Sequence, residues 1–130
     1  MKESMRILGM GVDLVEVERI ERAVARHEAF VPRLFSPREM ERCRDCSRPA
    51  LRYAACFAAK EAAAKALGTG IRGFSWREVE LVAEESGRPR LELSGKAKDL
   101  AESLGVSKFL VSVSHTRGMV VAVAQALGEE

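Results

Sequence analysis

The chain has 130 residues, 47% of them hydrophobic and 31% charged, with a formal net charge of +2. That is enough for a single domain over residues 1–130, one that buries roughly two thirds of the surface its unfolded form exposes without disulfides or a structural metal. A charge this small does not argue for nucleic acid, and no run approaches the roughly 18 apolar residues of a membrane span. Neither a nucleic acid nor a membrane is expected as partner.

Residues 7–12 form the first predicted strand, apolar apart from Gly9 and Gly11, with Asp13 at its end. Residues 15–27 carry Val17, Ile20, Val24 and Ala25 at helical spacing. A short turn or helix covers 28–35. Ser36-Pro37, with Glu39 three residues after the cap, starts a helix that runs to about residue 44. From 49 to 67 the chain is dense in alanine, the best helix former, with no internal glycine or proline; Gly68 then ends the helix.

The second half changes character. Val79, Leu81 and Ala83 alternate with polar residues, Gly87-Arg88-Pro89 turns the chain, and Leu91 and Leu93 alternate again, which is a hairpin pattern. Ser94 can cap a helix through Ala97, Leu100, Ala101 and Leu104 that Gly105 stops. Residues 109–114 and 119–126 are valine-rich strands joined by His115-Thr116-Arg117-Gly118. The expected class is α+β: an N-terminal strand and helices, with a long central helix packed on an antiparallel sheet.

Charge is unevenly spread. Between Arg19 and Arg52 nine arginines face five acids with no lysine, a local excess of four. This is either a solvated face of mixed helices or a docking surface for an acidic partner. Cys43, Cys46 and Cys56 are an odd count that suits a reducing compartment, and with no secretory segment a cytoplasmic location is expected. Cys43 and Cys46 form a C-x-x-C, but inside an Arg-rich helix, where packing is a better account than zinc or redox chemistry.

Four features carry candidate chemistry. Asp13 ends a core strand, where an acid must be paired, bonded to a helix N-terminus or metal-bound. Glu61 and Lys65, four apart on one helix face, are either a routine surface pair or the wall of a cleft in an otherwise alanine-rich helix. Gly68-Thr69-Gly70 offers backbone N–H groups and a hydroxyl to phosphate oxygens, although no Walker motif is present. Ser114-His115-Thr116 lies at a strand end, where His115 either faces a site or is structural.

These pieces in this order resemble a known family. Gly9-x-Gly11-x-Asp13 with Arg19-Ile20, the block from Phe57-Ala-Ala-Lys-Glu61 to Lys65-Ala-Leu-Gly-Thr-Gly70, Gly87-Arg-Pro89 and Ser114-His115-Thr116 together are similar to the holo-[acyl-carrier-protein] synthases. These are small 4′-phosphopantetheinyl transferases, and the likeness spans essentially the whole chain. It implies the 4′-phosphopantetheinyl transferase fold and transfer of 4′-phosphopantetheine from coenzyme A to a serine of apo-acyl carrier protein, releasing adenosine 3′,5′-bisphosphate.

The resemblance assigns Asp13 and Glu61 to Mg²⁺. It assigns Lys65, Gly68, Thr69 and Gly70 to coenzyme A phosphates, and Pro89, Ser114, His115 and Thr116 to the nucleotide side. Arg19 and Arg26 fall on the helix that contacts the carrier protein, and a homotrimer with sites between subunits is implied. Glu61, Lys65 and His115 are the catalytic candidates, with Glu61 or His115 accepting the serine proton. One position departs: the family commonly has an arginine where this chain has Cys56, a role Arg52 one turn earlier can fill. The rival readings are a non-catalytic coenzyme A or nucleotide-binding module and a basic RNA-binding adaptor; only 5% aromatic residues argue against the latter.

Overall fold

The computed structural model describes residues 4–129. In chain order these form β1 (Met5–Glu16), α1 (Val17–Arg26), α2 (Phe30–Leu34), α3 (Pro37–Arg44) and α4 (Pro49–Ala66). A 3₁₀ turn (Trp76–Glu78), β2 (Val79–Ala83), β3 (Pro89–Leu93), α5 (Gly95–Ser103), β4 (Lys108–His115) and β5 (Met119–Glu129) follow. Strands β1, β5 and β4 make one antiparallel sheet in that order, and β2 and β3 a separate hairpin. The expected α+β arrangement is present.

Helix α4 lies directly on β1. The strand's inner face carries Gly9, Gly11, Asp13 and Val15, opposite Ala126, Ala124, Ala122 and Val120 of β5. A Cβ on Gly9 would stand 1.9 Å from the Ala66 carbonyl oxygen, and one on Gly11 2.0 Å from that of Ala62. Only glycine admits such an approach. Helix α4 answers with Ala58, Ala59, Ala62 and Ala63, all fully buried. Small residues on both sides thus place backbone against backbone.

Two sequence expectations need correction here. β1 continues to Glu16, so Asp13 lies inside the strand rather than at its end, and α1 starts at Val17 with Glu16 as N-cap. The ladder to β5 keeps the backbone extended as far as the Glu16–Met119 pair, which removes Asp13 as a helix cap. Ser94 occupies the N-cap of α5 without a side-chain bond. Instead a Glu78 carboxylate oxygen accepts from Lys96 N–H at 3.1 Å, so an acid from the 3₁₀ turn does the capping.

The Ser36 capping box forms as expected: Ser36 Oγ accepts from Glu39 N–H at 3.2 Å, and Glu39 Oε1 accepts from Ser36 N–H at 3.0 Å. The same carboxylate also receives Lys60 Nζ at 2.6 Å and Leu81 N–H at 3.0 Å. Lys60 further donates to the carbonyls of Val79 (2.5 Å) and Trp76 (3.1 Å). Both side chains are fully buried. One ion pair therefore ties α3, α4 and the start of β2 together.

The sheet's other face is unusual. Met10, Val12 and Leu14 point away from α4 and are 58%, 55% and 65% exposed, beside their ladder partners Gln125, Val123 and Val121. An open antiparallel face is ordinarily polar, so an apolar one marks an interaction surface. No helix among the described residues is long and apolar enough to cross a membrane.

Replacing Lys60 by methionine leaves the Glu39 carboxylate buried without its cation. The expected loss is about 3–5 kcal/mol of folding stability. It is read as a lowered urea midpoint at unchanged slope.

Candidate active site

The approach of α4 to β1 brings three of the candidate residues together. Lys65 Nζ donates to Asp13 Oδ1 at 3.2 Å and to the Val12 carbonyl at 3.0 Å. Lys65 thus pairs across to the strand rather than with Glu61, as a routine helix pair would. The Lys65 side chain is half exposed and that of Asp13 only 15%, so the pair spans the boundary between interior and solvent. Such a pair adds at most about 1 kcal/mol to stability.

Glu61 stands beside them, half-buried. Burial raises its carboxyl above the usual carboxylate range, the Asp13 charge adds to that, and Lys65 opposes it. Two carboxylates thus repel across the helix–strand seam, the condition a bound cation relieves. Among the described residues no cluster of three or more His, Cys, Asp or Glu offers a full protein cage. Two carboxylates fit Mg²⁺, a hard ion that takes its other oxygens from water and substrate phosphates.

The remaining candidates lie elsewhere. Gly68 and Gly70 both have positive φ, as a helix stop requires. Their N–H groups are not free, however: Gly68 N–H reaches the Lys65 carbonyl at 3.0 Å and Gly70 N–H that of Ala64 at 3.3 Å. The helix end draws them in to satisfy its own carbonyls. The Thr69 hydroxyl donates to the Gly70 carbonyl at 2.8 Å.

Ser114 and His115 end β4, two strands from β1, with Ser114 opposite Val121 and His115 opposite Val120. Adjacent strand residues face opposite sides, so the two cannot line one surface together. His115 Nδ1 lies 3.3 Å from the Thr116 carbonyl, and Thr116 Oγ1 accepts from Met119 N–H at 3.2 Å. Among the described residues no hydrogen bond or ion pair of this turn reaches Asp13, Glu61 or Lys65. Pro89 opens β3 in the hairpin and shares a narrow recess with Arg52, Cys56 and Gly87.

Arg19 and Arg26, seven apart on α1, are exposed on one stripe with Arg22; Arg22 pairs loosely with Glu18 at 3.7 Å. The cysteines are all unpaired; Cys46 donates its thiol to the Cys43 carbonyl at 3.1 Å. Cys56 is buried, and its thiol is pushed well up by a hydrogen bond with Cys43 and by burial. A thiol so held is inert.

Residues 9–124 match the model of the 4′-phosphopantetheinyl transferase superfamily. The chain belongs to that superfamily. It is similar to the holo-[acyl-carrier-protein] synthase of Moorella thermoacetica, with 43% identity over 118 residues covering 91% of this chain and 92% of the relative. The corresponding enzyme of Koribacter versatilis is 44% identical over 118 residues, covering 89% and 94%.

Among solved structures, the holo-[acyl-carrier-protein] synthase of Neisseria meningitidis superposes with a TM-score of 0.87 at 34% identity, covering 93% of this chain and 98% of that one. The Helicobacter pylori enzyme in complex with coenzyme A gives 0.78 at 30% identity, covering 93% and 99%. The fold is that of the family, and the chain is an enzyme of the holo-[acyl-carrier-protein] synthase kind.

Sequence reasoning missed the Glu39–Lys60 pair. Lys60 was visible only as part of the family block, and Glu39 only as a capping residue. A cation in a helix of nearly unbroken alanine was the available signal, since such a helix has little solvent-facing surface on which to leave it.

The raised Glu61 carboxyl has a measurable signature. Folded Glu61 holds its proton more tightly than the unfolded residue. Stability therefore falls as pH rises from the ordinary glutamate value of about 4.3 through the raised one. Glu61→Gln removes that penalty. In EDTA, the variant is expected to be more stable than the parent at pH 7.5, with the gain vanishing by about pH 4. Urea midpoints across that range test it; a gain that persists in acid would contradict the assignment.

Proposed function

We propose that this chain transfers 4′-phosphopantetheine from coenzyme A to a serine hydroxyl of apo-acyl carrier protein, in the cytoplasm, with Mg²⁺ as cofactor and adenosine 3′,5′-bisphosphate as second product. The observation that carries the reading is the meeting of Asp13, Glu61 and Lys65 at the α4–β1 seam of a chain of this family. The Bacillus anthracis relative, at 30% identity, was solved in complex with CoA (3′,5′-ADP), which supports the nucleotide side.

In this reading Asp13 and Glu61 hold the ion, which when bound offsets charge on the pyrophosphate. Lys65, already spanning to Asp13, contributes a mobile point charge to the same phosphates. Glu61 is the preferred acceptor of the serine proton, because as a ligand of the ion it would stand beside the reacting phosphate. His115, exposed, is the alternative. Thr69 and the glycines beside it border the phosphates, with fewer free donors than the bare sequence offers.

The Ser114-His115-Thr116 turn lies two strands from this seam with no hydrogen bond joining them among the described residues, which supports assembly. In a homotrimer the turn and Pro89 of one subunit complete the nucleotide side of the next. The exposed apolar face at Met10, Val12 and Leu14 supports such packing. Arg19 and Arg26, exposed and without an ion pair among the described residues, offer a basic stripe to the acidic carrier. In this reading Arg52, which shares a recess with Cys56 and Pro89, supplies the charge that Cys56 lacks.

Intact mass of a carrier protein after incubation with coenzyme A and Mg²⁺ tests the proposal: a phosphopantetheine-sized gain that EDTA prevents is expected. Asp13→Ala and Glu61→Ala are each expected to abolish the gain while remaining folded by circular dichroism. Near-parental activity in either would remove the metal assignment. Arg19→Glu or Arg26→Glu is expected to raise KM for the carrier roughly tenfold with KM for coenzyme A unchanged, the size of one lost charge contact. Equal effects on both would count against the docking stripe.

A further inference from the structure

A cavity of about 610 Å³ opens between β3, α5 and β4, away from Asp13, Glu61 and Lys65. Its volume is within the roughly 300–1,000 Å³ of ordinary small-molecule sites. The floor is apolar: Leu91 and Leu93 come from β3, Ala101 from α5, and Val106, Phe109 and Val111 from β4 and the turn before it. The rim is charged. Arg88, Lys98 and Lys108 line it without an ion pair among the described residues, whereas Arg90 is engaged by Glu92. The acids Glu84 and Glu102 also line it and leave the cations in excess.

A greasy floor under unpaired cations is complementary to a molecule with an apolar tail and an anionic head. Phosphate alone would leave the floor unfilled, and a neutral apolar molecule would leave the rim unanswered. We propose that this cavity binds a free medium-chain alkyl carboxylate, its chain laid between Leu91, Leu93 and Phe109 and its head at Lys98 and Lys108. No residue of the α4–β1 seam contributes, but Pro89, which the transferase reading gives to the nucleotide side, also lines the cavity, so competition with coenzyme A separates the two readings.

Calorimetric titration of the full chain with hexanoate, octanoate and decanoate, each below its micellar concentration, tests it. Affinity is expected to rise by roughly tenfold per two methylenes, as burial of the chain requires. Octanoate is expected to bind about tenfold or more tighter than octanol, the value of a charge-assisted contact. The surface variant Lys98→Gln/Lys108→Gln is expected to bring octanoate down to the level of octanol while leaving octanol unchanged.

Absence of a chain-length dependence, or octanoate binding that survives the double variant, would overturn the proposal. So would displacement of octanoate by coenzyme A, which would give the cavity to the nucleotide. Loss of octanoate binding on self-association, followed by sedimentation, would give it to a second copy of the chain.

Discussion

Everything at the candidate site depends on how closely α4 approaches β1. Gly9 and Gly11 have no room for a Cβ against the Ala66 and Ala62 carbonyls, so the helix sits at backbone contact. Asp13 is the next residue on that strand face, and Glu61 and Lys65 are the polar positions of α4 nearest to it. A helix held off the strand by large side chains would leave the three charged groups in separate solvent shells. Backbone contact places them in one.

Distance alone does not fix which side of α4 faces the strand. The rotation is fixed from the far side by Lys60. At about 100° per residue, Lys60 and Lys65 are separated by about 140° around the helix. One is buried on Glu39 and the carbonyls of Val79 and Trp76, the other emerges toward solvent beside Asp13. Two lysines in one short block thus have opposite environments. Buried, Lys60 is a tether between α3, α4 and the hairpin; half exposed, Lys65 retains the freedom to meet a phosphate.

Much of this was legible in the residues. The alanine run, the Ser36 box and the valine strands announce their elements through local physics, and the ordered blocks around Glu61 and His115 point to the family. What escaped was set by tertiary contacts. The end of β1 is decided by its ladder to β5, not by local propensity, so Asp13 fell inside the strand. The N–H groups of Gly68 and Gly70 look available in a sequence, but helix carbonyls claim them in three dimensions. Ser94 is outcompeted as a cap by Glu78, sixteen residues earlier and adjacent only after folding. The separation of His115 from Asp13 is likewise invisible until strand order is known.

β1 serves two surfaces at once. Its odd-numbered positions 9 to 15 meet α4, and the even positions 10, 12 and 14 carry apolar side chains outward. Strand periodicity is two, so the surfaces are in opposite phase along one stretch of backbone. Loss of a single residue from its middle would invert both across one part of the strand, turning carboxylate to solvent and methionine or leucine toward a helix that tolerates only hydrogen. Substitution can tune either face separately; insertion and deletion cannot. The strand's length is therefore far less free to drift than its composition.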